Sequence, residues 1–190
     1  MVIRRPRSKS VVTPPLPDLP RVESLKVLGV TLQSNLSMRE HVNNVIAKSG
    51  QTLYALKAVK AHGLSQEMLS MVTRATLMSG LTYASPAWIG FANAEDMQRL
   101  QSPVKRAIRW GLLSSNLGLT FSSISEKADI SLFSKVSALQ SHVLHSMLPP
   151  RTNYSHNLRP RRHDFVLPRT STLLHKNFFH RMLYLFSGVN

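Results

Sequence analysis

Apolar residues in this chain recur mostly at helical spacing, with one exception near the start. In "RVESLKVLGVTL" (21–32) Val22, Ser24 and Lys26 fall on one parity and Glu23, Leu25 and Val27 on the other, with apolar character on both sides near the middle. That pattern predicts a short strand, or two strands pivoting at Gly29. From Ser37 the grammar changes. "SMRE" is a capping-box sequence, in which the Ser37 hydroxyl takes the Glu40 N–H while the Glu40 carboxylate reaches back. Val42, Val45, Ile46, Leu53 and Leu56 then recur as one helical face, and Gly63 supplies a stop after about His62.

Three further helices are predicted. Met68, Leu69, Val72, Ala75 and Met78 mark a second, begun at Leu64 and Ser65 and ended or bent by Pro86. Met97, Leu100, Val104, Ala107 and Ile108 mark a third from about Ala94, interrupted at Pro103, where a kink or a break at Ser102 is expected. After a turn-rich stretch "GLLSSNLGLTFSS", Leu132, Phe133, Val136, Leu139, Val143 and Met147 mark a fourth, closed by Pro149 and Pro150. The expected fold is mostly α: a helical bundle preceded by a short β hairpin or strand, with basic flexible termini. The organisation is a basic Pro-rich arm (1–22), a short β element (23–36), a helical domain (37–150) and a basic tail (151–190) whose "FFHRMLYLF" forms a short helix able to dock back.

Charge narrows the partners. The chain carries 24 Lys plus Arg against 9 Asp plus Glu, a formal +15, so a polyanion is the natural partner, nucleic acid first and an acidic membrane surface second. On the third helix Arg99, Lys105, Arg106 and Arg109 lie opposite the apolar stripe. With the arm at 4–9 and the tail residues Arg151, Arg159, Arg161, Arg162, Arg169, Lys176 and Arg181, this makes three separated basic elements. Trp110, Tyr154 and Phe165 stand beside them as groups able to stack on bases or pack on sugars. No base-reading pattern accompanies them, so phosphate contact and duplex shape are the expected mode.

Little else in the chain suggests chemistry. The absence of cysteine excludes disulfides, thiolate nucleophiles and Cys-ligated zinc. No apolar run approaches the length of a membrane span, and neither a phosphate loop nor a nucleophile elbow is present, so a soluble, unsecreted protein is expected. Glu95 and Asp96 are adjacent acids that complement a helix N-terminus, and His142 with His145 lack a third metal ligand.

The order of these pieces resembles the region just downstream of the catalytic motifs in reverse transcriptases of non-LTR retrotransposons (LINE elements), the jockey-like branch especially. The words that carry it are "LGVTL", "EHV", "YASPAW" and "RLQ" followed by "KRAIRW", and it covers nearly the whole chain. The resemblance implies that Leu28, Gly29 and Val30 match the centre of a primer grip and that Met38 to Leu148 match a thumb holding a template-primer duplex by its backbone. The tail would match the C-terminal end of the element's second reading frame. Lys105, Arg106, Arg109, Arg159, Arg161 and Arg162 are the candidate phosphate contacts. The family's RNA-directed DNA polymerase uses Mg2+ held by an Asp-Asp pair and a further Asp; this chain has no Asp-Asp, so it is expected to be non-catalytic alone and to hold no cofactor. The expected partners are an RNA-DNA hybrid or other nucleic-acid backbone, and a palm domain or a second copy; no membrane and no small-molecule substrate are expected. The alternatives are a small helical protein-interaction module and a non-functional transposon relic.

Overall fold

The computed structural model describes residues 20–114, 118–152, 163–169 and 171–187. It is mostly helical, with a two-stranded antiparallel hairpin at the start. Its elements are β1 (Ser24–Val27), β2 (Val30–Gln33), α1 (Arg39–Ala61), α2 (Gln66–Thr73), α3 (Ser79–Thr82), α4 (Ser85–Trp88), α5 (Ala94–Arg109), α6 (Phe121–Ala138) and α7 (Phe178–Ser187). They group into two compact units, 20–84 with 91–122, and 85–90 with 123–187.

In the first unit α1 is the element on which the others pack: β2, α2, α3 and α5 all touch it. Its buried line is Val42, Leu53 and Leu56, with His41 and Ser49 buried among them. Ser49 satisfies itself by donating to the Val45 carbonyl at 2.8 Å. The predicted helix is present, but its capping box is not. Asn35 Oδ1 accepts the Ser37 N–H and Leu36 turns the chain at φ 59, so Met38 takes the cap position and the Ser37 hydroxyl accepts from Arg39 instead of Glu40. The C-terminal stop is as expected, with Gly63 at φ 86 and its N–H on the Lys60 carbonyl.

Helices α2 and α3 are joined through a π turn, Arg74–Met78, into one continuous rod. The buried line is Leu69, Thr73, Leu77, Met78 and Leu81, whereas Met68, Val72 and Ala75 of the expected stripe are exposed. A four-residue repeat runs roughly 40° ahead of a straight α-helix at each step, and the wider turn removes that drift. The rod stops at Tyr83 and Ala84, the latter at φ 50, ahead of Pro86. Pro86 sits instead in the first turn of α4, where its missing N–H is not needed. Helix α5 runs through Pro103, which is buried, without the break that was one of the two expected outcomes there. Its start is secured by a capping box between Asn93 and Asp96.

The second unit is built on α6 and α7. The fourth helix occupies 121–138, ten residues or so ahead of its expected position, and Val143 is 84% exposed in the turns that follow it. Its buried line is Phe121, Ser125, Asp129, Phe133 and Val136, and the two polar members hide the pattern from a hydropathy reading. The tail helix docks as anticipated: Phe178, Met182 and Leu183 form a core with Phe133 and Phe165. Within that unit Arg181 donates to Asp129 at 2.7 Å and to the Pro86 carbonyl at 3.4 Å. Burial pushes the Asp129 carboxyl above the usual range, against the opposing pull of Arg181. Gly90 is required beside this pair, because a Cβ there would overlap the Lys176 carbonyl oxygen and crowd the Arg181 guanidinium.

An ion pair of this kind is weakly stabilising as a whole and costly to halve. In urea unfolding, Asp129→Asn is expected to lose about 1–3 kcal/mol because it leaves the half-buried Arg181 charge without its counterion, whereas the double variant Asp129→Leu/Arg181→Met should lie within about 1 kcal/mol of the parent. Equal losses in the two variants would contradict this assignment.

Candidate functional site

Two features of the first unit have the makings of a site, and α1 positions both. The first lies at its C-terminal end. Arg39 meets Glu95 at 3.4 Å, Asn43 accepts from Arg99 at 2.5 Å and Lys60 donates to the Trp110 carbonyl at 2.6 Å. Residue numbers rise together along these contacts, so α1 and α5 run parallel and both end at Trp110. The Lys60 ammonium thereby caps the carbonyl end of α5, where a cation is favoured by the helix dipole. Gln66 adds a second donor, to the Gly111 carbonyl at 3.0 Å.

Cations gather around the half-buried Trp110 ring. The Lys57 ammonium lies 5.5 Å from its centroid and the Arg106 guanidinium 5.8 Å, both within cation–π range. Lys105 and Arg109 are exposed on α5, and Arg106 is half-buried. Three candidate residues from the sequence, Lys105, Arg106 and Arg109, therefore belong to one helix end, joined there by Lys57 and Lys60 from α1. Those two were missed because their relation to α5 depends on the parallel packing of segments about fifty residues apart in sequence. Arg159, Arg161, Arg162 and Tyr154 lie outside the described residues, as does the basic arm up to residue 19. Phe165 is not available for base stacking: it is 5% exposed in the core of the second unit, with the Arg151 guanidinium over its ring.

The second feature surrounds the hairpin turn. Val27 pairs with Val30, leaving Leu28 and Gly29 as a two-residue loop at φ 46 and φ 87. Positive φ at both positions is the turn that matches strand twist, but leucine adopts it with strain of about 1–2 kcal/mol. Leu28 is nevertheless 87% exposed, while its carbonyl accepts the Tyr83 hydroxyl at 3.1 Å and Gly29 packs under the Tyr83 ring. Val30, the third residue of the expected primer-grip centre, is buried. The register makes Lys26 and Thr31 a pair without mutual hydrogen bonds, so the Thr31 N–H points away from β1. It donates to His41 Nδ1 at 3.3 Å, which fixes the ring proton on Nε2. Burial, and secondarily the Lys48 charge, lowers the His41 pKa from its ordinary 6.5.

His142 and His145 are not on a helix face, as expected from sequence, but in the turns after α6. His142 Nδ1 accepts the Leu144 N–H, and His145 Nδ1 is 2.7 Å from the Val136 carbonyl. Among the described residues no group of three or more His, Cys, Asp or Glu is arranged to hold a metal ion, and no helix is long and apolar enough to cross a membrane.

The depressed His41 pKa has a signed consequence. Above about pH 6.5 the ring is neutral in both folded and unfolded chains; below it the unfolded chain takes up the proton first, so the contribution of His41 is lost as pH falls through the lower folded value. Urea midpoints measured at about pH 7 and about pH 5 should therefore differ less in His41→Gln than in the parent chain, and an unchanged difference would overturn the assignment. Comparison of the chain with protein families, with curated proteins and with solved structures returned no match.

Proposed function

We propose that this chain binds the sugar-phosphate backbone of a nucleic-acid duplex, as the primer-grip and thumb portion of an RNA-directed DNA polymerase of the non-LTR retrotransposon type, without catalysis of its own. The observation that carries this reading is the cationic cluster at the shared end of α1 and α5, where Lys57 and Arg106 flank Trp110 beside the exposed Lys105 and Arg109. Lysine and arginine so placed neutralise phosphates and release counterions, which supplies affinity without reading sequence. With Lys57 and Arg106 already at its ring, Trp110 serves to hold the cations in place and is a poor platform for bases. The net charge of +15 acts in the same direction at longer range. The hairpin ahead of a helical body matches the element order that the resemblance implies.

A filter-binding titration with an RNA-DNA hybrid tests it. Binding at low salt should weaken steeply as salt rises, and the triple variant Lys105→Gln/Arg106→Gln/Arg109→Gln should flatten the log–log slope by roughly 2–3. No binding at low salt, or a slope the triple variant leaves unchanged, would refute it.

A second reading is favoured by one observation at the hairpin. Leu25, Val27 and Leu28 are exposed, and among the described residues β1 pairs with β2 alone, so an apolar strand edge faces outward. Such an edge is a template for strand addition by a protein partner or a second copy. Light scattering then shows a dimer that Val27→Lys dissociates; a folded monomer at all concentrations removes self-association through this edge.

A further inference from the structure

Beside the hairpin turn the first unit holds a half-open cavity of about 350 Å³, bordered by α1, the π turn, α3 and the hairpin tip. That volume is in the range of small-molecule sites. Its wall has a definite chemical polarity. Lys48 brings a positive charge and no acidic residue lines the space. The hydroxyls act differently. Ser49, Thr52, Thr76 and Ser79 each donate to a carbonyl one turn back in their helix, so their hydroxyls give an anion no hydrogen bond and Lys48 is the charged group on the wall. Most of the remaining wall is apolar, formed by Val45, Leu77 and the Tyr83 ring.

We infer that this cavity binds a small organic anion, a single carboxylate or phosphate carried on an apolar or aromatic body, with Lys48 holding the charge and the Leu77 and Tyr83 side holding the body. The π turn is what makes the room. It is a wider turn of backbone at the cavity wall, and such turns recur at functional sites. Gly80 completes the opening, since a Cβ built on it meets no atom within 4 Å. The site goes beyond the nucleic-acid reading and does not depend on it, because that reading rests on the Trp110 cluster at the far end of α1.

The test is a titration of the full chain followed by amide ¹H–¹⁵N correlation spectra in moderate salt. The probes are phenyl phosphate and benzoate, with benzylamine and inorganic phosphate as controls. Phenyl phosphate or benzoate should shift the Gly29, Thr76 and Gly80 amides saturably, and the aromatic amine should not. Lys48→Gln should weaken binding about tenfold or more, the size of one charge-assisted contact. Gly80→Met, a good helix former whose side chain enters open space, should retain the folded spectrum and abolish the shifts. The inference is overturned if benzylamine produces the same shifts, if Lys48→Gln or Gly80→Met binds as the parent does, or if neither anion gives a saturable shift. It is also overturned if inorganic phosphate reproduces the phenyl phosphate response, which would mean an adventitious ion only. Loss of hybrid binding in the triple variant described above leaves these outcomes unaffected, so the two proposals fail separately.

Discussion

The packing of β2, α2, α3 and α5 against α1 is the constraint on which the first unit rests. A helix asked to serve that many neighbours cannot keep a narrow apolar stripe, and its buried surface extends to His41 and Ser49. Each polar group is then obliged to find a local partner, because an unpaired one in such a place costs about 1–3 kcal/mol. Ser49 finds it in its own helix. His41 Nδ1 accepts from the hairpin, so the bond that satisfies this nitrogen also fixes the strand against the helix and sets the ring's tautomer.

The parallel course of α1 and α5 has an electrostatic consequence. Parallel neighbours place both carbonyl ends at the same end of the unit, an arrangement in which the two helix dipoles oppose close approach. Lys60 offsets this by donating to the Trp110 carbonyl, and Lys57 and Arg106 bring further positive charge to the same place. The cluster is therefore partly structural. A cation cluster assembled to finish two helices is also a surface suited to phosphate, which is why a binding role and a capping role coincide on the same side chains.

The second unit depends on a different arrangement. Its apolar core of phenylalanines, with Met182 and Leu183, is ordinary, but the buried Asp129 and the half-buried Arg181 beside it tie α6 to α7 and to the Pro86 carbonyl. Directional bonds of this sort select one docking geometry for a tail helix that an apolar face alone would leave free to rotate. Gly90 is the condition for that geometry, since its bare Cα admits the Lys176 carbonyl.

Periodicity in the sequence determined the helical class, the hairpin, the extent of α1 and the presence of a last helix, because these follow from local spacing of apolar residues and from glycine at turn and helix-end positions. The chain also announced Lys105, Arg106 and Arg109 as one basic face. What it did not announce were features in which a non-local contact outweighed the local pattern. Thr73 and Leu77 stood at the buried face of the second rod in place of Val72 and Ala75, with Leu77 inside the π turn. Ser125 and Asp129 disguised the first half of α6, since Asp129 is buried with a partner fifty-two residues away. Lys57 and Lys60 joined the basic cluster, and His41 the cavity, only through packing. Spacing along a chain reports which residues share a face of one element; which faces meet, and which polar groups are buried together, was decided by the tertiary structure.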